Sequence, residues 1–287
     1  MAMAQDTLLE VEGLTVRFPS VHGPIEAVRD ISFAMGRDKI AIVGESGSGK
    51  SMTARAILDL IRSPGERLAR AIRLDGTDLT RLSPRQMRQV RGGRITMVMQ
   101  DPKYSLNPTM SVGAQLYENW LIHVGKPQRL SRAAGQKAVL EMLEAVQIND
   151  PPRVARAYPH ELSGGMGQRV MIAMMLIPEP ELMIADEPTS ALDVTVQMEV
   201  LKLMDALVAR NGMGLIFISH DLPLVSRFCD RVLIMYRGRI VEECRADRLH
   251  EAQHPYTQGL LSCLPSYAQR GHPLATLSRE ADWETAS

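Results

Sequence analysis

The octamer Gly44-Glu45-Ser46-Gly47-Ser48-Gly49-Lys50-Ser51 constrains this chain more than any other stretch, because it fits the pattern G-x-x-x-x-G-K-S/T at every required position. Upstream, the apolar run Ile40 to Val43 reads as a buried strand. Downstream, Ala54, Ile57, Leu58 and Ile61 follow helical spacing until Pro64-Gly65 stops them. Glycines between a strand and a helix let the backbone curl until successive N–H groups point inward, and the positive end of the helix faces the same hollow. A triphosphate fits there, with Lys50 reaching its β- and γ-phosphates and the Ser51 hydroxyl holding Mg²⁺. The octamer alone leaves open a glycine-rich turn with no ligand; the motifs that follow weigh against it.

At 287 residues and 45% hydrophobic content, the chain suits one large domain, or a domain with a subdomain, around a substantial core. Lys plus Arg (33) balances Asp plus Glu (33), so no global field favours nucleic acid or an acidic membrane. The arginines at 81, 85, 88, 91 and 94 would form one stripe if helical, but no aromatics interleave, and a solvated helix face is the reading they favour. Cys229, Cys244 and Cys263 are widely spaced without a C-x-x-C, which fits a reducing compartment, the cytoplasm. No window approaches the ~20 apolar residues of a spanning helix, and Met1 to Asp6 has no signal-peptide pattern. Membrane association is therefore expected to be peripheral.

Along the chain, Leu14, Val16 and Phe18 alternate as in a strand, and Phe18 can either stack on a nucleotide base or pack in the core. Ile95 to Met99 reads as a strand ending in Gln100, whose amide either reaches Mg²⁺ or an attacking water, or is simply solvated. From Tyr104 to His160 short helical patterns, among them Val112 to Trp120 and Ala133 to Val146, suggest an inserted helical subdomain. Ser163, Gly164 and Gly165 directly precede the apolar helix Val170 to Leu176, forming an anion-binding helix N-terminus without a lysine, or an N-cap and nothing more. Leu182 to Ala185 lead into two acids. Asp186 is placed to hold Mg²⁺ as the second arm opposite Ser51, and Glu187 to orient or deprotonate an attacking water. A helix marked by Val196, Val200, Met204, Leu207 and Val208 follows, capped by Asn211-Gly212. Leu215 to Ile218 is a further strand ending in Ser219-His220-Asp221, and Arg237-Gly238 turns a final hairpin. His250 and His254 have a metal-ligand spacing, but Pro255 breaks the helix that spacing needs and no third ligand is evident.

Taken in this order, GESGSGKS, MVMQDP, LSGGMGQR, LMIADEPTSALD and ISHD resemble the nucleotide-binding subunits of ATP-binding cassette (ABC) transporters, over Leu8 to about Pro265. The resemblance implies an α/β fold: a P-loop NTPase (RecA-like) core with an N-terminal antiparallel β subdomain and an inserted helical subdomain. It places the nucleotide-binding domain at residues 8–250, with the helical part at about 104–162, and a C-terminal extension at 251–287. It also implies an ATPase acting as a dimer on ATP and Mg²⁺. Ser163, Gly164 and Gly165 of one subunit close over the γ-phosphate of ATP held by the other's Lys50 and Ser51, and Asp193 contacts across the same interface. Glu187 becomes the catalytic base, His220 a γ-phosphate contact, Gln100 a sensor of Mg²⁺ and of the coupling face, and Phe18 the base-stacking aromatic.

Tyr-Pro-His-Glu-Leu from Tyr158, MQDPKYSLNP from Met99 and HPYTQGLLSCLP from His254 resemble bacterial dipeptide, oligopeptide and nickel importers. Such a chain would be one half of an ATPase heterodimer on the cytoplasmic face of the inner membrane. Its partners would be two membrane permease subunits and an extracytoplasmic solute-binding protein, with no nucleic acid. Peptides are the expected cargo; nickel, opines or sugars are the alternatives, and a soluble non-transport cassette protein is a more distant one. Three scattered cysteines do not match the iron–sulfur cluster of some relatives, so none is expected. Gly167 stands where related signatures carry a larger polar or basic residue, which predicts a less rigid helix rather than lost activity.

Overall fold

The structure, a computed structural model, describes residues 7–98, 106–126, 128–190 and 192–264, together with Trp283. The chain divides into two units, one of residues 1–8 and 81–216 and the other of residues 9–80 and 217–287. The second unit is thus built from both ends of the chain.

In that unit, β1 (Leu9–Phe18) buries Leu9 and Val11 but also Leu14 and Val16, residues that do not share one two-residue period. Gly13 explains the change of phase. It takes a left-handed φ of 61°, its N–H donates to Ser32 Oγ at 2.9 Å, and the register with β2 (Ile25–Met35) slips between Val11 and Leu14. β5 (Ala71–Leu74), β6 (Thr77–Asp78) and the short β4 (Glu66–Leu68) complete an antiparallel sheet in which β1 pairs with β2, β4 and β5. This is the N-terminal antiparallel layer expected from the sequence.

The other sheet component of this unit is parallel. β3 (Lys39–Val43) pairs with β10 (Arg231–Tyr236) from Arg231↔Ile40 to Ile234↔Val43, and all but the first residue of each strand are buried. Strands apolar on both faces are what a parallel sheet covered by helices requires. β10 returns as β11 (Arg239–Arg245) through Arg237 and Gly238, both at positive φ, which suits a two-residue hairpin turn. The helix after the glycine loop, α1, covers only Lys50–Ile57. The periodicity extending to Ile61 overran it, because Asp59 adopts φ 54° and ends the helical path.

In the first unit, β7 (Ile95–Val98) and β8 (Leu182–Asp186) run parallel; β9 (Gly214–Ser219) begins in this unit, with residues 214–216, and ends in the other. Helices α3 (Val112–Trp120), α4 (Arg132–Ala145) and α5 (Pro151–Arg156) pack on one another, and α3 and α4 also pack on α6 (Gly164–Leu176). Ser111, Ser131 and Asp150 cap their N-termini by accepting from backbone N–H groups. The arginine stripe does not form as one helical face. Arg81 ends a 3-10 turn (Leu79–Arg81), Arg85 and Arg88 lie on α2 (Pro84–Val90), and Arg94 lies beyond it, forming two hydrogen bonds to the Glu181 carboxylate, one of 2.9 Å. Among the described residues, no helix is long and apolar enough to cross a membrane.

Gly135 sets the spacing between α3 and α4. A Cβ there would sit 2.4 Å from Trp120 Cζ3 and 2.5 Å from Tyr117 Cε2, and Trp120 is itself buried. Gly→Ala inside a helix ordinarily gains up to about 1 kcal/mol. Here overpacking reverses the sign, and Gly135→Ala is expected to lose about 1–3 kcal/mol in chemical denaturation. A neutral or stabilising result would show that the two rings move aside freely.

Candidate functional site

The glycine loop connects β3 to α1 under a tight backbone constraint. At Gly44 (φ 153°) a Cβ would fall 2.1 Å from the Met235 carbonyl oxygen, and at Gly49 (φ 106°) it would fall 2.4 Å from the Ala27 carbonyl oxygen. Neither position accepts a side chain, so the loop is clamped between β10 and β2. Gly238 of the hairpin turn donates its N–H to Ser48 O at 2.9 Å, and Ser48 N–H donates to Glu45 O at 3.1 Å. The Lys50 ammonium turns into the loop and donates to Gly44 O at 2.7 Å and to Glu45 O at 2.9 Å, only 7% exposed. Ser48 Oγ is buried there with no hydrogen-bond partner among the described residues. α1 has no acid in its first turn to oppose its positive end. A cation, an unpartnered hydroxyl and a helix N-terminus around a side-chain-free loop fit an anionic phosphate group. Ser46 and Gly47 are exposed and Ser51 is half-buried, at the second position of the helix.

Phe18 and His220 belong to the same unit. Phe18 is half-buried, and its ring covers Gly65, whose Cβ would lie 2.4 Å from Phe18 Cε1. One edge of the ring therefore rests on the turn after α1. His220 is exposed at the end of β9, and the next residue, Asp221, caps α8 (Leu222–Phe228) by accepting from Leu224 N–H at 3.0 Å.

The other unit holds the acids and the serine-glycine helix. Asp186 is the buried last residue of β8, and Glu187 follows at φ 47°, a left-handed conformation that costs a residue with a Cβ of the order of 1 kcal/mol. The turn is held from two sides. Ser190 donates its N–H and its hydroxyl to Glu187 O at 3.3 and 3.1 Å, and the Gln168 side-chain amide donates to Pro188 O. Gln168 is 1% exposed and lies on α6, the helix that Ser163 caps by accepting from Met166 N–H at 3.4 Å. Gly165 brings α6 against α7 (Val194–Asn211): its Cβ would lie 2.9 Å from Val196 Cγ1. Asp193 caps α7, accepting from Thr195 and Val196 N–H at 3.1 Å each. Ser163, Gly164, Gly165, Asp186, Glu187 and Asp193 thus all belong to one unit, and Gln100 lies outside the described residues.

Sequence reasoning missed Gln168. A lone amide among the buried Val170, Met171 and Ile172 was the available signal, since a polar group at such a position must find a partner. The histidine pair does not form a metal site: His250 is exposed beside Glu251, whereas His254 is buried and spends Nδ1 on Tyr256 N–H at 3.2 Å. All three cysteines are free thiols; burial pushes Cys229 up to about 12 and, with Glu242 and Glu243 assisting, Cys244 up to about 11.

The sequence model of the ABC transporter family matches residues 28–190. The oligopeptide transport ATP-binding protein OppD of Bacillus subtilis is 45% identical over 267 residues, which is 92% of this chain and 74% of that protein. The dipeptide transport ATP-binding protein DppD of Escherichia coli is 42% identical over 272 residues, 94% of this chain and 82% of that protein. Among solved structures, the dimeric ATP-binding cassette MJ0796 in a post-hydrolysis state bound to ADP and Pi superposes with a TM-score of 0.72 at 24% identity, covering 83% of this chain and 99% of that one. CbiO1 of Clostridium perfringens, part of the ABC transporter complex cbiONQ, gives 0.70 at 26% identity, covering 86% and 92%.

Two neighbouring residues of α6 separate structure from chemistry. A Cβ on Gly167 meets nothing within 4 Å, so Gly167→Ala is expected to stabilise by up to about 1 kcal/mol, read as a rise in denaturation midpoint. Gln168→Ala strips Pro188 O of its donor and is expected to cost about 1–3 kcal/mol while also lowering ATP turnover, because the freed turn carries Glu187. Turnover unchanged at full folding would show that the turn holds itself.

Proposed function

The chain belongs to the ABC transporter family, and from that premise we propose that it is the ATP-hydrolysing subunit of a bacterial importer for di- or oligopeptides. The observation that carries the ATPase reading is the clamped loop with the Lys50 ammonium folded into it. The peptide cargo rests on OppD and DppD, which match more than nine-tenths of the chain.

Lys50 and the loop running from Gly44 through Glu45, Ser46, Gly47, Ser48 and Gly49 to Ser51 cradle the phosphates, and Phe18 stacks on the base. Ser51, Gln100 and Asp186 would hold Mg²⁺, which would supply charge that neutralises the phosphates. Glu187 accepts a proton from the attacking water as the water oxygen bonds to the γ-phosphorus and the bond to the β–γ bridging oxygen breaks, leaving ADP and phosphate. His220 contacts the γ-phosphate. Ser163, Gly164 and Gly165 of a second ATP-binding subunit close over it, and Asp193 lies at the same interface. Val194 and Met198, one turn apart on α7 and 75% and 44% exposed, support such an interface, since they are apolar residues left uncovered in the single chain. The partners are a second ATPase subunit, giving a heterodimer, two membrane permease subunits that recruit the chain to the cytoplasmic face, and a solute-binding protein. Residues from about 104 to 162 form the inserted helical subdomain, and residues 251–287 the importer-type extension.

Glu187→Gln is expected to retain ATP binding and lose turnover by about 10²- to 10⁴-fold, measured with the assembled partners; unchanged hydrolysis would remove Glu187 from the base role. Cells whose only copy carries Lys50→Ala are expected to lose uptake of labelled di- and oligopeptides and to keep that of nickel. The opposite pattern would replace the cargo, and loss of neither would overturn the transport reading.

A further inference from the structure

Tyr256 stands at the second position of α9 (Pro255–Ser262), in the C-terminal stretch, and is fully buried. Its hydroxyl accepts from the backbone N–H of Glu45 at 3.0 Å, across a separation of 211 residues. That N–H and the carbonyl of Gly44 are the two ends of a single planar peptide group. The carbonyl end accepts from Lys50 Nζ at 2.7 Å. Tyr256 and Lys50 therefore grip one peptide from opposite edges.

This peptide needs holding. Its preceding residue is glycine, whose wide range of backbone angles lets the peptide plane rotate at little steric cost. Rotation would swing the Gly44 carbonyl away from Lys50 and release the ammonium from its aim. Hydrogen bonds in series also polarise one another, so the bond at the N–H end strengthens the carbonyl as an acceptor. Tyr256 is in turn fixed on every side. His254 caps α9 and accepts from Tyr256 N–H at 3.2 Å. The N–H groups of Gln253 and His254 donate to Glu242 Oε1 on β11 at 2.7 and 3.3 Å. The Tyr256 ring lies 4.4 Å from that of Tyr236 and 5.6 Å from that of Trp283, centroid to centroid. Tyr236 adjoins Met235, whose carbonyl backs Gly44.

We propose that Tyr256 is a positioning residue for nucleotide binding, locking the Gly44–Glu45 peptide so that Lys50 stays aimed at the phosphates. The inference rests on the reading of the loop as the ATP site. It differs from ring packing alone, because it depends on one oxygen atom.

Equilibrium titration of the full chain with a fluorescent ATP analogue and Mg²⁺ tests it, alongside circular dichroism to measure the folded fraction. Tyr256→Phe is expected to weaken binding about three- to tenfold at an unchanged folded fraction. Tyr236→Phe keeps binding unchanged, since the Tyr236 hydroxyl is buried without a hydrogen-bond partner among the described residues. Tyr256→Phe binding like wild type while Lys50→Ala loses affinity would overturn the inference and leave the ATP site standing. Lys50→Ala binding like wild type would overturn the site itself, and the inference with it. Amide exchange of the unmodified protein without nucleotide adds a readout that needs no variant: the Glu45 amide is expected to be protected, and exchange as fast as at the exposed Ser46 would overturn the proposal.

Discussion

Two carbonyl oxygens stand where the side chains of Gly44 and Gly49 would otherwise be. Everything in the second unit is compatible with that approach and much of it is required by it. β3 must lie parallel and in register with β10 for the Met235 carbonyl to reach the back of Gly44, and β2 must pass close enough for Ala27 to reach Gly49. The hairpin turn then comes within hydrogen-bonding distance of Ser48. A loop held by backbone on both sides keeps its N–H groups aimed without any ligand, so little ordering cost falls on binding.

The acid-bearing turn of the other unit is held by different means. Glu187 keeps an unfavourable backbone conformation because its own carbonyl is tied by Ser190 and that of the next residue, Pro188, by Gln168. Strain of this kind persists only where surrounding contacts over-determine it, and it gathers where a side chain must point in one direction. Gln168 belongs to the helix that Ser163 caps, so the serine-glycine N-terminus and the acid turn share one rigid support. Motion of α6 transmits to both.

Much of this was legible in the sequence because the decisive signals are local. The octamer, the apolar runs of β3, β8 and β9, and the caps at Ser163 and Gly212 are set by residues within a few positions of each other, and the structure places each element accordingly. Local periodicity failed where one residue overrode it: Asp59 ended α1 early, and Gly13 shifted the phase of β1. The arginine spacing misled because Arg94 answers to Glu181, 87 residues away. Gln168 and Tyr256 were hidden for the same reason. Each acts through a backbone group far along the chain, and no spacing rule reports a partner chosen by tertiary structure. Asp193 was read through family likeness as an interface residue, while its local geometry, an acid immediately before a helix, already marked it as a cap.

The order in which the ribosome releases these parts adds a different kind of constraint. The glycine loop is made well before Met235, Gly238 and Tyr256, which clamp it, 211 residues separating Glu45 from Tyr256. At ordinary rates of synthesis that gap lasts roughly ten seconds or more. During that interval β3, an apolar strand destined for a parallel sheet, has neither its β10 neighbour nor its loop clamp. A growing chain consequently exposes a sticky edge before it gains its loop clamp, so ATP can distinguish a chain that carries the clamp from one cut short of it.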